Sequence, residues 1–327
     1  MNYLVTAIGS MSAAAVIASL RADPEIRVLV GCNTLPFAWT PQAPRVDVFE
    51  QVPHASDEVS YVASLLKMCA SYRIDRVIPL TDLEVDALDR YRVEFEERSV
   101  LLCMPSGMAL RVARDKRRLC QRFAGSAEIA VVPSVDLKAY VPALKFPLFA
   151  KPRRGRSSEG VCFIREEVDL LRFRQSVAEE DYVIQPYIDG EIVVVDVVRQ
   201  QSTGFSFAIG RRELQRTPNG AGLVVEMGVR PDLVLAARHV TEVLDINGCV
   251  NVEFIVNEKG EGFLMDLNPR FSAGVAFSKM AGYDMVINHI RCFDGGILDA
   301  EVEVEPSVYC REYVEVECEP QGGGDVS

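Results

Sequence analysis

Asn251, Glu253, Asp266 and Asn268 are the residues of this chain best spaced for chemistry. From Asn251 to Asn268 the sequence alternates with period two. Val252, Phe254 and Val256 alternate with Asn251, Glu253 and Ile255, then Phe263, Met265 and Leu267 alternate with Leu264, Asp266 and Asn268. The run 257–262, NEKGEG, marks a turn between them. A hairpin turning between Lys259 and Gly260 sets Glu253 opposite Asp266 and Asn251 opposite Asn268, all four on one face. Directly opposed carboxylates destabilise a hairpin unless something neutralises them. Two carboxylates and an amide oxygen, followed by Arg270, suit Mg²⁺ ions carrying nucleotide phosphates. The same spacing also fits a solvated acidic hairpin.

A second cluster lies in the run 149–161, FAKPRRGRSSEGV. Lys151 stands at the end of a predicted strand, followed by small residues whose backbone N–H groups can approach phosphate oxygens. The lysine would present a compact charge to the α- and β-phosphates. The Gly-Lys-Ser/Thr of a P-loop is absent. Arg153, Arg154 and Arg156 divide between phosphate contacts and plain solvation. Arg211 and Arg212, after the strand 205–209, suit a substrate carboxylate because arginine binds carboxylates bidentately, and suit ordinary surface charge equally. Ser272 lies in a loop entering a helix whose N-terminus favours an anion, or serves that helix as its N-cap.

These residues need a large scaffold, and 327 residues provide one of two or three subdomains. Hydrophobic content of 49% and charged content of 25% are those of a globular chain. The net charge of -12 argues against a nucleic-acid binder. No run reaches 18 uncharged apolar residues, so no membrane span is expected. The N-terminus lacks a basic n-region, and nine scattered cysteines without a Cys-x-x-Cys pair fit a reducing, cytoplasmic setting. His54, His239 and His289 have no metal-ligand spacing.

Strand and helix alternate through residues 1–108, which predicts a doubly wound parallel sheet with ligands beyond the carboxyl ends of its strands. That rule points at Gly9–Ser12 and at Thr81–Glu84. Gly9-Ser-Met-Ser12 lacks the G-x-G-x-x-G spacing of a dinucleotide-binding turn, and Ser12 also suits a helix N-cap. Further on, a helix is expected from Asp115 towards Pro133, strands at 146–150, 161–164 and 182–188, and an antiparallel pair at 192–199 and 205–211. Helices follow at 231–244 and 275–293, with terminal strands over 301–319. Pro186 interrupts a strand edge and leaves backbone groups free.

Asn251-Val-Glu-Phe254 followed by Met265-Asp-Leu-Asn-Pro-Arg270 resembles the magnesium-binding signature of the ATP-grasp superfamily, in its carbamoyl-phosphate-synthetase-like and amino-acid ligase branches. The resemblance runs to about residue 294. It implies an α/β protein of ATP-grasp fold: an N-terminal doubly wound parallel α/β domain (1–108), a linker helix with an α+β lid subdomain (109–188), and a C-terminal antiparallel-sheet α+β subdomain (189–320). A disordered tail, 321–327, follows. It also implies that Glu253, Asp266 and Asn268 ligate Mg²⁺, with Mn²⁺ as an alternative, and that Arg270 meets the γ-phosphate or acyl phosphate. Asp266 stands where glutamate is usual, which puts a metal-bridging role in doubt. Lys116, Lys151, Ser157 and Ser158 would contact ATP. The Pro186 carbonyl and Ile188 N–H would hold the adenine edge, with Gln185 where glutamate is common and Glu191 on the ribose. Asp82 and Glu84 would meet an amino group of the acceptor.

The activity so implied is an ATP-dependent carboxylate–amine ligase. It would form an amide through an acyl phosphate, with small-molecule partners, no nucleic acid or membrane, and homodimeric assembly among the expectations. The alternatives are a carbamoyl-phosphate-synthetase-like enzyme using bicarbonate or ammonia, a non-catalytic nucleotide binder, and a nicotinamide oxidoreductase.

Overall fold

The computed structural model describes residues 1–140, 144–155 and 159–317. Ser157, Ser158 and the tail 321–327 lie outside the described residues. The N-terminal sheet comprises β1 (Asn2–Val5), β2 (Val28–Asn33), β3 (Val48–Gln51), β4 (Arg76–Ile78) and β5 (Leu101–Leu102). All are parallel, in the order β3-β2-β1-β4-β5. Helices α1 (Ala13–Ala22), α2 (Glu58–Tyr72), α3 (Asp82–Arg90) and α4 (Arg92–Glu96) connect them. The order reverses between β1 and β4, so the turns leaving those strands flank one crevice. β3 is too short and too mixed in polarity to be read from sequence. Helices α3 and α4 are separated at Tyr91, whose backbone (φ -107°, ψ 19°) leaves the helical well.

Helices α5 (Gly107–Ala113) and α6 (Lys116–Phe123) lead out of this sheet. Asp115 caps α6 by accepting the N–H groups of Arg117 and Arg118. The helix stops at Phe123, well short of Pro133, and Gly125 follows at φ 79°, a conformation only glycine adopts freely. An antiparallel sheet then forms from β6 (Val135–Asp136), β7 (Leu148–Pro152), β8 (Cys162–Ile164) and β9 (Tyr182–Pro186), ordered β6-β9-β7-β8. Helix α7 (Glu167–Ser176) packs on it, and Leu137, Leu148, Ile164, Leu170 and Ile184 give this unit its own core.

The third sheet is antiparallel and six-stranded, in the order β14-β13-β10-β11-β12-β15. Its strands are β10 (Gly190–Arg199), β11 (Ser206–Arg216), β12 (Gly222–Met227), β13 (Gly248–Asn257), β14 (Gly262–Asn268) and β15 (Ser307–Cys310). The antiparallel pair expected at 192–199 and 205–211 is therefore part of the hairpin's sheet. β12 escaped the sequence reading. The strands expected over 301–319 reduce, among the described residues, to β15, because Val-Glu alternation forms a strand only where a partner ladder exists. Val193, Val195, Val197, Val250, Val252 and Phe254 pack one face of the sheet against α8 (Pro231–Val243). On the other face, Ile192, Val194, Arg211, Glu213, Asn251 and Glu253 turn to a cavity. Helices α9 (Val275–Met280) and α10 (Met285–Asp294) share a core with the N-terminal sheet through Tyr3, Ile17, Phe207, Tyr283 and Ile290. Arg76 pairs with Asp294 at 2.7 Å across the same junction.

Candidate active site

The three sheets meet around a cavity of about 590 Å³. The N-terminal sheet contributes Ser10, Met11 and Ser12 after β1, and Leu80, Thr81 and Asp82 after β4, so the cavity opens at the switch point of that sheet. Ser12 occupies the position before α1, but its side chain caps nothing and instead lies 3.3 Å from Ser10 Oγ. The middle sheet contributes Phe149, Lys151 and Gln185, and the six-stranded sheet supplies the polar floor.

The hairpin register is the one read from the sequence: Glu253 pairs with Asp266 and Asn251 with Asn268. A bulge at Met265 lies beside this site, and beyond it Phe254 pairs with Leu264. Asn268 donates its amide to Asn251 Oδ1 at 3.0 Å and to Glu253 Oε1 at 2.9 Å, leaving its amide oxygen available to a cation. Burial pushes the Glu253 carboxyl up from its ordinary range and the Asp266 charge adds to the rise, while Arg216 and Arg270 oppose it. Lys116 Nζ stands 3.0 Å from Asp266 Oδ2, so an ammonium already supplies positive charge at this pair. Two facing acids, one of them short of counter-charge, with an amide oxygen beside them, fit a hard divalent cation. Among the described residues no three His, Cys, Asp or Glu side chains converge. A cation here would complete its shell with phosphate and water oxygens.

Lys151 projects from β7 into the cavity, 5.2 Å from the centre of the Phe149 ring. Burial lowers its pKa to about 8; the nearby Lys116 pushes the same way, and Asp266 and Glu253 oppose it. Arg270 donates from Nε and Nη2 to Asp82 Oδ2 at 3.2 and 2.9 Å, and from Nη1 to Phe271 O at 3.0 Å. Asp82 also faces Arg114, whose Nη1 is 3.2 Å from Oδ1. Burial alone would raise the Asp82 pKa, but Arg270 and Arg114 together hold it below the usual carboxylate range. Gln185 is buried and donates to Ser134 Oγ, while Pro186 and Ile188 line the cavity.

Several expectations need correction. Asp82 lines the cavity, with its oxygens facing Arg270 and Arg114. Glu84 is buried away from the cavity: it closes a capping box with Thr81 and accepts from Tyr61 Oη at 3.0 Å. Glu191 and Arg212 pair with each other at 3.2 Å beyond the cavity wall, and Arg212 also pairs with Glu226. Arg211 lines the cavity but is ion-paired to Asp196 and Glu213. Arg153 is partly exposed and pairs with Asp115 at 2.8 Å. Ser272 lines the cavity and caps no helix, since Gly274 precedes α9. Sequence reasoning singled out neither Glu213 nor Arg216, and reached Arg114 only as a member of the basic run 111–122, an island suited to an anionic ligand.

Comparison with known proteins bears on the family and the fold. Residues 178–316 match the family described as "ATP-grasp in the biosynthetic pathway with Ter operon". Residues 10–103 match "PylC-like, N-terminal domain". Lys116 and Lys151 fall between the two ranges. Over 246 residues the chain is 24% identical to the 3-methyl-D-ornithine--L-lysine ligase of Methanosarcina barkeri (strain Fusaro / DSM 804), covering 73% of this chain and 62% of that ligase. The chain thus spans less than two thirds of that relative. Among solved structures, biotin carboxylase from Campylobacter jejuni superposes with a TM-score of 0.78 at 16% identity, over 94% of this chain and 75% of the other. N5-carboxyaminoimidazole synthetase from Staphylococcus aureus gives 0.73 at 17% identity, over 94% and 81%.

Proposed function

We propose that this ATP-grasp protein is an ADP-forming carboxylate–amine ligase, which phosphorylates a carboxylate with ATP and passes the acyl group to an amine. The observation that supports it most is the convergence of Lys116, Lys151 and Arg270 on the Glu253/Asp266/Asn268 face of one cavity. Such a site can bind a nucleotide and also stabilise charge as a phosphoryl group moves, which a pure binder has no need to do. In this reading Glu253, Asp266 and Asn268 hold Mg²⁺, or Mn²⁺, which supplies neutralisation of the phosphate charge. Lys116 and Lys151 bind the phosphates, and the backbone at Pro186 and Ile188 holds the adenine edge. Arg270 faces the transferring group. Ser157 and Ser158 remain assigned to the phosphates by resemblance alone. Side chains perform no covalent step, so catalysis rests on positioning and on charge.

The domain boundaries at 108/109 and 188/189 belong to the same reading, as does a homodimer. The relative's name gives diamino acids as the first substrates to test. No helix of the described residues is long and apolar enough to cross a membrane, and a cytoplasmic location is part of the proposal. The test is a screen of carboxylate and amine pairs, with bicarbonate as one arm, for ATP-dependent phosphate release and the mass of the product. Hydroxylamine added in place of the amine should trap the acyl phosphate as a hydroxamate. Nucleotide binding without phosphate release from any pair would leave only a binder.

Two expected outcomes concern the nucleotide. MgATP should stabilise the protein by roughly 2.7 kcal/mol at 100 times its dissociation constant, and ATP with a chelator by much less. Equal thermal shifts with and without Mg²⁺ would remove the metal assignment. Affinity for ATP should also fall as pH rises through about 8, where the Lys151 ammonium of the free protein loses its proton. Phosphate oxygens favour the charged form, so binding above that pH takes up a proton. Calorimetry at pH 8.5 in buffers of different ionisation enthalpy reads this uptake directly. Lys151→Ala should weaken ATP binding and abolish the uptake, and an unchanged proton count in that variant contradicts the assignment.

A further inference from the structure

Arg211 does not present a free fork to a substrate carboxylate. Nη1 donates to Asp196 Oδ2 at 2.7 Å and Nε to Glu213 Oε1 at 3.0 Å. Ser278 Oγ donates to the same Asp196 oxygen at 2.8 Å. The ion-paired triad of one guanidinium and two carboxylates carries a net charge of minus one, with side-chain exposures of 3%, 1% and 2%, and the Arg311 charge lies near enough to act on Glu213. Excess charge held out of water requires a partner. Glu213 lines the cavity, and its second oxygen, Oε2, has no hydrogen-bond partner among the described residues.

That oxygen is itself buried. Gly222 lies beside it in the cavity wall, and a Cβ there would come within 2.2 Å of Oε2. The nearby guanidinium groups donate to backbone carbonyls. Arg216 donates to Gly220 O at 3.0 and 2.7 Å, and Arg311 to Gly222 O and Ala273 O at 3.3 and 2.6 Å. Arg216 also approaches Glu253 at 3.8 Å. Two further buried oxygens without a hydrogen-bond partner among the described residues, Ser272 Oγ and Asp82 Oδ1, belong to residues that line the same cavity. A guanidinium ligand would want both carboxylate oxygens, and Oε1 is taken. A divalent metal would want six or more oxygens. A single carboxylate oxygen suits a compact ammonium.

We propose that Glu213 Oε2 receives a primary ammonium group of the substrate, so that this end of the cavity selects an amine-bearing small molecule over an anionic one. The purpose of the site, though not the binding itself, rests on the ligase reading. The probes are cadaverine and glutarate, similar in length and opposite in charge, titrated calorimetrically into the full chain with Mg²⁺ and a non-hydrolysable ATP analogue. Cadaverine should bind the native protein and glutarate should not. Glu213→Gln removes the charge, and Gly222→Ala crowds the oxygen, with the Glu213 carboxylate having to shift to make room. Each should weaken cadaverine binding about tenfold or more, with affinity for the analogue unchanged. If Glu213→Gln does not fold, Gly222→Ala decides alone. Equal binding of glutarate, no binding of cadaverine to the native protein, or full cadaverine affinity in the folded variants overturns the assignment. Failure of the analogue to bind would instead count against the nucleotide reading, and cadaverine titrated without it still judges Glu213.

Discussion

Arg270→Ala is expected to lower kcat by about 10²–10³-fold, the usual cost of removing one preorganised group that stabilises transition-state charge, while ATP affinity changes little. The separation follows from where the cations sit. Lys151 and Lys116 stand over the acidic hairpin, where ground-state phosphates would lie. Arg270 is fixed by Asp82 and by Phe271 O at the mouth between the hairpin and the N-terminal sheet. A group positioned in advance costs no reorganisation when charge develops, so its loss appears in turnover rather than in binding. Arg270→Lys keeps the charge but loses the fork that Asp82 holds, and should recover only part of the rate. Steady-state phosphate release beside calorimetric ATP affinity decides the matter. Weakened ATP binding with undiminished turnover would exchange the roles of Arg270 and Lys151.

Much of this site was legible because the hairpin is local. Alternation fixed the faces, and a six-residue turn fixed the pairing of Glu253 with Asp266. The agreement nevertheless hides two offsetting departures. The ladder next to the turn pairs Val256 with Gly262, which centres the turn on Lys259, and the bulge at Met265 restores the expected register at the acids. Alternation carries no mark of a bulge, so that route was invisible. The acceptor side was harder to read for a different reason. Asp82 meets Arg270 across 188 positions of sequence, and Arg211 meets Asp196 across a strand pair whose polar face looks like solvent surface in one dimension. Arg211 and Arg212 are adjacent and chemically alike, yet strand alternation sends one to the cavity and the other to Glu191 and Glu226 outside. Glu213 follows Arg211 on the same face, and no local pattern distinguishes it from the exposed acids of the chain.

Asp82→Ala is expected to cost about 3–5 kcal/mol of stability, the range for removing one partner of a buried ion pair. Asp82 is the first residue of α3 and is buried, with Arg270 at 2.9 Å on one oxygen and Arg114 at 3.2 Å from the other. Without it Arg114 keeps Asp86 at 3.0 Å, but Arg270 loses the carboxylate it is paired with. The effect should depend on pH with a definite sign. The folded pKa of Asp82 is depressed below the ordinary carboxylate value because the two guanidinium groups outweigh burial. Its contribution is therefore complete above that value and is lost as pH falls through the lower, folded one. The stability gap between native protein and variant should stay constant from neutrality down to the carboxylate range, then narrow below it. Urea unfolding followed by circular dichroism at stepped pH measures the gap. A gap that widens on acidification would mean that Asp82 is protonated in the folded protein and that Arg270 is held by something else. The same variant tests the link to function, because Asp82 joins the N-terminal sheet to the hairpin's arginine. If Asp82 positions Arg270, Asp82→Ala should lower kcat even at temperatures where it remains folded, with ATP affinity preserved. Full turnover in the folded variant would leave the ion pair as a purely structural tie between the two sheets.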